Sequence, residues 1–300
     1  MTTVSKISLS AAGPLVSRLA LGFARLAQWE LNSYQLLDLL HASIDLGITT
    51  MDHADIYGNQ SSQRLFGDAL AKRPALRQQM QIISKCGIQP YPAYDVKHYD
   101  TSKDHIINSV ENSLMLLGTD YLDLLLIHRP DPLMDADEVA EAFAALQQAG
   151  KVRHFGVSNH TPSQFELLSS RVDVPLVTNQ VQFSLLANKA LEDGTFDQAQ
   201  RLRFSPMAWS PLAGGEVFTG DEVSAKRTRL ALREVGIELG TASYDQVALA
   251  WILTHPANIV PVLGTSRLDR LQSAAQAAPM RLSRPQWFRL LQAARGKYVP

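Results

Sequence analysis

The stretch that decides the reading of this chain is ITTMDHADIYG, residues 48–58. Ile48 to Met51 has the composition of a short buried strand. Asp52 closes it. A carboxylate at the end of an apolar strand lies near the core and needs a cationic partner there. Tyr57 and Gly58 follow at once. The strand therefore delivers a charge and a phenol to one place, and the rest of the chain must supply what meets them.

The pattern recurs. Apolar runs ending in polar residues or glycine occur at SRLALG (17–22), ITTMD (48–52), QIISK (81–85), LDLLLIH (122–128), VRHFGVSN (152–159), LVTNQ (176–180), FSPMAWS (204–210) and NIVPVLG (258–264). Helical spacing fills the gaps between them. Leu36, Leu37, Leu40 and Ile44 mark one helix over 34–46, and Ile106, Val110, Leu114 and Leu117 another over 103–117. Asp135 with Glu138 reads as an N-cap pair for a helix through Gln148, with Gly150 just past its end.

Eight strands alternating with helices predict parallel β-α units. Closing eight such units gives an α/β fold, the (β/α)8 TIM barrel, for which 300 residues is a typical length. The alternative is an open, doubly wound sheet, which carries a glycine-rich turn after an early strand when it binds a dinucleotide. No GxGxxG and no Walker A sequence occurs here. The expected organisation is one barrel domain, 1–300, with additions. KISLSAAGPLVSRL (6–19) predicts a β-hairpin turning at Gly13-Pro14. Two extra helices are expected: one of the patterns at 222–238 and 243–254, and a last one at 284–295.

Composition narrows the functions. Lys plus Arg number 28 and Asp plus Glu 29, so no field for nucleic acid or another polyanion is expected. Cys86 is the sole cysteine, which fits a reducing compartment. The N-terminal region has no continuous apolar core of a signal peptide. No window approaches the ~20 apolar residues of a membrane span. A cytoplasmic chain without a membrane partner is expected.

In a barrel every run ends at the C-terminal rim, where active sites are built. The ends here are Asp52, Lys85, His128, Ser158-Asn159, Gln180, Ser210 and Gly264-Thr265-Ser266. Taken singly, each has an ordinary reading. Asp52 caps a turn, Lys85 is a solvated strand end, His128 is a core histidine and Tyr57 packs. Taken together they read differently, because the barrel sets strands two, three and four side by side. Lys85 then supplies the cation for Asp52.

An ammonium beside a phenol favours the phenolate, so Tyr57 is expected below its ordinary pKa of about 10. It becomes a proton donor or acceptor near neutral pH. A neutral His128 can orient a carbonyl oxygen. This machinery suits carbonyl reduction or alcohol oxidation with a hydride carrier opposite. Ser158, Asn159 and Gln180 offer donors and acceptors that match a nicotinamide carboxamide, and Trp209 can cover one face of the ring. LGTSRLDRL (263–271) opens a helix at Gly264, Thr265 and Ser266, where N–H groups and the helix dipole favour phosphate. Arg267 and Arg270 can hold a second phosphate by forked hydrogen bonds. No metal is expected, because the rim supplies only His128 as a good imidazole ligand and Asp52 is committed to Lys85.

On these segments the chain resembles the aldo-keto reductases, over about 5–295. MDHADIYG resembles that family's strand-two motif, Asp-x-Ala-x-x-Tyr-Gly. IISK and LLLIHRPDP resemble its lysine and histidine strands. VRHFGVSNHT, TNQVQFS and AWSPLAGG resemble its nicotinamide and pyrophosphate segments, and VLGTSRLDRL the segment that binds the adenosine 2′-phosphate. The resemblance implies NADP(H) as cofactor. It implies Tyr57 as the acid, with Lys85, Asp52 and His128 completing a tetrad in which Asp52 also borders the cofactor. It puts Ser158, Asn159 and Gln180 on the carboxamide, Trp209 on the ring, Ser210 and Leu212 at the pyrophosphate loop, and Thr265, Ser266 and Arg270 at the phosphate end.

Two departures stand out. Ser273 and Ala274 occupy the positions where many members have a Glu-Asn pair facing the adenine, and Gly264 a position where lysine is frequent. The loops after His128 and Ser210 and the tail GKYVP (296–300) are short or modest, which implies an open pocket and permissive specificity. The implied activity is NADPH-dependent reduction of small-molecule aldehydes and ketones to alcohols. The alternative is an NADP(H)-binding regulatory or redox-sensing subunit with little turnover, as in potassium-channel β-subunits. Many members are monomers, so a monomer is the implied state.

Overall fold

The computed structural model describes residues 3–90, 95–240 and 243–298. In chain order the strands are β1 (Lys6–Ser8), β2 (Leu15–Ser17), β3 (Ala20–Gly22), β4 (Thr50–Asp52), β5 (Gln81–Cys86), β6 (Ile88–Gln89), β7 (His98–Tyr99), β8 (Leu124–Ile127), β9 (Phe155–Ser158), β10 (Leu176–Gln182), β11 (Met207–Trp209) and β12 (Val260–Leu263). The helices are α1 (Ser33–Asp45), α2 (Ser62–Leu70), α3 (Lys103–Leu117), α4 (Ala136–Gln148), α5 (Pro162–Ser169), α6 (Thr195–Leu202), α7 (Glu216–Thr219), α8 (Val223–Glu238), α9 (Tyr244–Leu253), α10 (Leu268–Ala277) and α11 (Arg284–Arg295).

Eight strands close into a barrel in the order β10-β11-β12-β3-β4-β5-β8-β9. Every pairing around it is parallel. Each of the eight apolar runs supplies one barrel strand. Helices α8 and α11 are the additions to the repeat, and they pack on each other.

Strand side chains alternate, and the alternation divides the apolar residues into two cores. Leu124 and Leu126 of β8 join Ala20, Ile83, Met207, Val260 and Val262 inside the barrel. Leu125 and Ile127 join the larger shell between the barrel and its helices. Leu9 and Val16, in and beside the β1–β2 hairpin, belong to the inner group, so the hairpin closes the N-terminal end of the barrel. Its tight turn falls at Ser10–Gly13, where Gly13 N–H donates to Ser10 O at 3.1 Å. Pro14 follows the turn, and its carbonyl accepts from Leu9 N–H at 3.1 Å.

The same period selects which strand ends enter the site. Counting on by two from the inner residues, Ile83 leads to Lys85, Leu126 to His128 and Met207 to Trp209. Asp52 follows outward-facing Met51, and Ser158 follows outward-facing Val157.

Helix starts carry the chemistry their sequences announce. Asn32 with Gln35, Thr161 with Gln164 and Ser283 with Gln286 form reciprocal capping boxes on α1, α5 and α11. Asp135 caps α4 through the N–H groups of Asp137 and Glu138. Glu138 does not return the bond, because its carboxylate accepts from Lys103 N–H at 3.3 Å. The β6–β7 hairpin has strands too short for a periodic signal in the sequence. Among the described residues no helix is long and apolar enough to cross a membrane.

α2 crosses α3 at Gly67, where a Cβ would stand 2.0 Å from the Leu116 carbonyl oxygen. Gly67→Ala is expected to overpack this crossing and cost about 1–3 kcal/mol. The reading is a lowered urea midpoint at constant m value. A midpoint equal to that of the wild type would contradict so close a contact.

Candidate active site

The site begins with two neighbouring strands. Asp52 of β4 pairs in register with Ile83 of β5, so Lys85 lies two residues further along. Lys85 Nζ donates to Asp52 Oδ2 at 2.8 Å, to Tyr57 OH at 3.0 Å and to the His53 carbonyl at 2.9 Å. An ammonium has three N–H groups, and all three are used. Asp52 Oδ1 accepts from Gln180 Nε2 at 2.8 Å. Lys85 is 1% exposed and Asp52 2%. A buried pair of this kind persists only when its remaining hydrogen bonds are satisfied, as they are here.

Tyr57 is placed by backbone. The β4–β5 ladder runs on past the strand end through His53 N–H to Ile83 O (2.8 Å) and Asp55 N–H to Lys85 O (3.1 Å). A turn closed by Tyr57 N–H to Ala54 O (3.2 Å) then sets the phenol within reach of Lys85. His128 meets the phenol ring edge to face, with centroids 5.8 Å apart at 81°.

Electrostatics assigns the protons. Burial opposes the charge on Lys85, but Asp52 and Tyr57 outweigh it and hold the ammonium above its ordinary pKa. Burial pushes the Tyr57 phenol up, Lys85 pulls it down, and Asp52 raises it again. The net direction is upward. The lowering expected from sequence counts the cation and omits burial and the carboxylate behind it. Tyr57 is therefore held protonated, a donor before it is a base. His128 lies well below its ordinary value, through burial first and then the charges of Lys85, Arg129 and Lys97. Its imidazole is neutral.

Beside this group lies a second hydrogen-bonded patch. Ser158 Oγ donates to Gln180 O at 2.7 Å, and Asn159 Nδ2 donates to Ser158 Oγ at 2.8 Å and to His128 O at 3.2 Å. Trp209 Nε1 donates to Asn159 Oδ1 at 2.9 Å. Asn159 adopts a left-handed φ of 62° to make these contacts. The loop after β11 is likewise left-handed at Ser210, Gly214 and Gly215.

A cleft of about 1040 Å³ joins these parts. It runs from Asp52, Tyr57 and His128 past Trp209, Ser210 and Leu212 to Gly264, Thr265 and Arg270, with Ser273 and Ala274 at its lining too. Ser266 and Arg267 do not border it. Arg267 turns instead to Asp269 in the first turn of α10, with Nε to Oδ1 at 3.0 Å and Nη2 to Oδ2 at 2.5 Å. Asp269 thus separates two arginines expected to face one phosphate together.

Sequence reasoning misses four residues. Arg25 and Arg129 border the cleft. Arg25 Nη2 donates to Gly264 O at 2.5 Å, bridging the ends of the first and last barrel strands. Arg129 follows His128 directly, so the strand-end rule finds it when extended by one residue. His53 stacks on Phe23 at 4.5 Å and is held neutral, with its pKa lowered to about 3 by burial and then by Lys85. Burial pushes the Asp55 carboxyl up to about 7, against a hydrogen bond from Ser109 Oγ at 2.9 Å. Nothing in the sequence signals these two environments. Among the described residues no cluster of three or more His, Cys, Asp or Glu side chains could hold a metal.

A profile described as the Aldo/keto reductase family matches residues 18–295. The chain is 49% identical to Oxidoreductase YdhF of Escherichia coli (strain K12), over 99% of this chain and 100% of that one. It is 47% identical to a protein of Agrobacterium fabrum named 6-dehydroglucose reductase, over 87% and 88% of the two chains. The fold matches a thermostable aldo-keto reductase, Tm1743, solved with the inhibitor epalrestat. That match has a TM-score of 0.82 at 27% identity and covers 96% of this chain and 99% of the other. Carbonyl reduction is the general reaction of such proteins, and a nicotinamide cofactor is their general requirement. A match that spans the whole barrel, with near-half identity to full-length relatives, places this chain in the aldo/keto reductase family of oxidoreductases.

Proposed function

We propose that the protein reduces aldehydes and ketones with NADPH, and that Tyr57 gives the proton to the carbonyl oxygen. The observation that carries this reading is the Lys85 ammonium, which donates at once to Asp52 at 2.8 Å and to Tyr57 at 3.0 Å. The bound nicotinamide supplies the hydride. Tyr57 enters the reaction protonated and donates as charge builds on the carbonyl oxygen. Lys85 stabilises the phenolate left behind, and Asp52 keeps Lys85 charged and aimed. Neutral His128 orients the carbonyl oxygen without competing for the proton.

The residues suit the cofactor. Gln180, anchored to Asp52 through Nε2, keeps Oε1 for a carboxamide N–H. Ser158 and Asn159 stand beside it, and Trp209 would cover one face of a nicotinamide bound there. Ser210 and Leu212, with the left-handed glycines after them, shape a loop for pyrophosphate. Thr265 and Arg270 are the groups we assign to the 2′-phosphate. Two relatives, at 47% and 38% identity, are named 6-dehydroglucose reductase, so a sugar aldehyde is the first substrate to try. The reading makes the chain one catalytic domain, a cytoplasmic monomer acting on small carbonyl compounds with permissive specificity. A panel of aldehydes and ketones, followed by the loss of NADPH absorbance, tests it. Tight NADPH binding without turnover of any member would favour a sensing subunit.

Cofactor choice has its own test. Arg270→Ala is expected to weaken NADPH and leave NADH nearly unchanged. A hydrogen bond to a charged group contributes about 1.5–3 kcal/mol, or roughly 10- to 150-fold in affinity. Arg267, engaged by Asp269, is expected to contribute less. Calorimetric titration of both cofactors decides it. Equal losses for the two would remove Arg270 from the 2′-phosphate.

A further inference from the structure

A guanidinium stands at the reacting end of the cleft without a polar partner. Arg129 is half-buried, directly follows His128, and lines the cleft together with Tyr57. Its Cζ lies 5.6 Å from the centre of the Trp209 ring. Beyond that ring contact it makes no ion pair or side-chain hydrogen bond among the described residues. The nearby acids are committed elsewhere. Asp52 is held by Lys85 and Gln180. Asp131 accepts from Thr101 Oγ1 at 2.9 Å and from Leu133 N–H at 2.8 Å. Asp245 and Asp269 border the cleft from α9 and α10, with Arg270 and Ser273. The reacting end is therefore left positive. Lys97 adds to that field, since its charge also acts on His128.

A guanidinium presents five N–H donors in a planar fork that matches an oxyanion. Half exposed and uncommitted to any protein acid, the fork can exchange water for an oxyanion that enters the cleft. The Trp209 ring beside the fork attracts its charge. We propose that the substrate carries an oxyanion, a carboxylate or a phosphate, which Arg129 holds while the carbonyl meets Tyr57 and His128. This rests on the reductase reading and ranks substrates within it: an aldehyde that bears a carboxylate or phosphate is preferred to its neutral counterpart, a neutral sugar aldehyde included. The cofactor's own phosphates are served at Ser210, Leu212, Thr265 and Arg270, whereas Arg129 adjoins the two groups that meet the carbonyl.

The test pairs anionic aldehydes with neutral counterparts. Succinic semialdehyde is set against its methyl ester, and glyceraldehyde 3-phosphate against glyceraldehyde. The expected wild-type preference for the anion is about 10- to 100-fold in kcat/KM in at least one pair. The pair that shows it separates carboxylate from phosphate. Added salt should shrink the ratio. Arg129→Gln is expected to bring the ratio close to one, and Arg129→Lys to keep part of it. Calorimetry of NADPH on Arg129→Gln supplies the control. A loss of NADPH affinity as large as the loss in ratio would assign Arg129 to the cofactor and overturn the proposal. A wild type that reduces neutral and anionic partners equally overturns it and leaves the reductase reading standing. Failure to reduce any of the four overturns this proposal, while the aldehyde and ketone panel tests the reductase reading separately.

Discussion

Tyr57→Phe is expected to bind NADPH as the wild type does and to lose roughly 100- to 10,000-fold in turnover, the usual worth of general acid catalysis. The phenylalanine ring keeps the edge-to-face contact with His128. Only the hydroxyl disappears. Two things go with it: the proton that neutralises the developing alkoxide, and the third acceptor of Lys85, now 3.0 Å away. The second loss acts on the ammonium, which still has Asp52 and the His53 carbonyl. Folding should therefore survive, and a thermal melt checks that it does. Single-turnover kinetics with saturating NADPH isolates the chemical step. A variant within a few-fold of the wild type would take Tyr57 out of the proton-donating role.

Lys85→Met should fail in two separable ways. The first is stability. The substitution leaves the Asp52 carboxylate, 2% exposed, with only Gln180 to meet it. Breaking a buried pair from one side costs about 3–5 kcal/mol. The sign with pH follows from the shifts. In the wild type the Lys85 pKa is raised, so its contribution is fully present below the unfolded lysine value and fades only as pH rises through the folded one. Stability should not change on its account across neutral pH. Asp52→Asn added to Lys85→Met removes the unpaired carboxylate and should recover stability without restoring turnover.

The second failure is catalytic. Lys85 is the main influence that pulls the Tyr57 phenol down against burial. Without it the phenol rises further, and alcohol oxidation, which needs the phenolate, should begin at a higher pH. Chemical denaturation at neutral pH reads the first effect, and the pH profile of oxidation reads the second. An unmoved profile would mean that Lys85 and Tyr57 are not coupled.

The strands and the residues that close them are legible because their signal is local. A side chain's direction along a strand follows from counting by two, so the inner-facing positions after Ile83 and Leu126 are already Lys85 and His128 on paper. Helix boundaries at α1, α3, α4 and α11 follow for the same reason, since caps and apolar spacing lie within a few residues of each other. The β6–β7 hairpin escapes this logic, because two residues per strand carry no period.

By itself, then, the sequence determined the eightfold alternation, the barrel it closes into, and the identity of the groups on its rim. The tertiary structure alone decided what those groups experience. Gln180 reaches Asp52 across 128 positions of chain, and that bond completes the pairing of the buried carboxylate. Tyr57 sits above its ordinary pKa because burial outweighs the cation beside it, and burial is a property of everything packed around a residue. Arg267 is drawn to Asp269, while Arg270, Arg25 and Arg129 border the cleft. Electrostatic energies depend on distance in space and on exclusion of water. Distance along the chain sets neither.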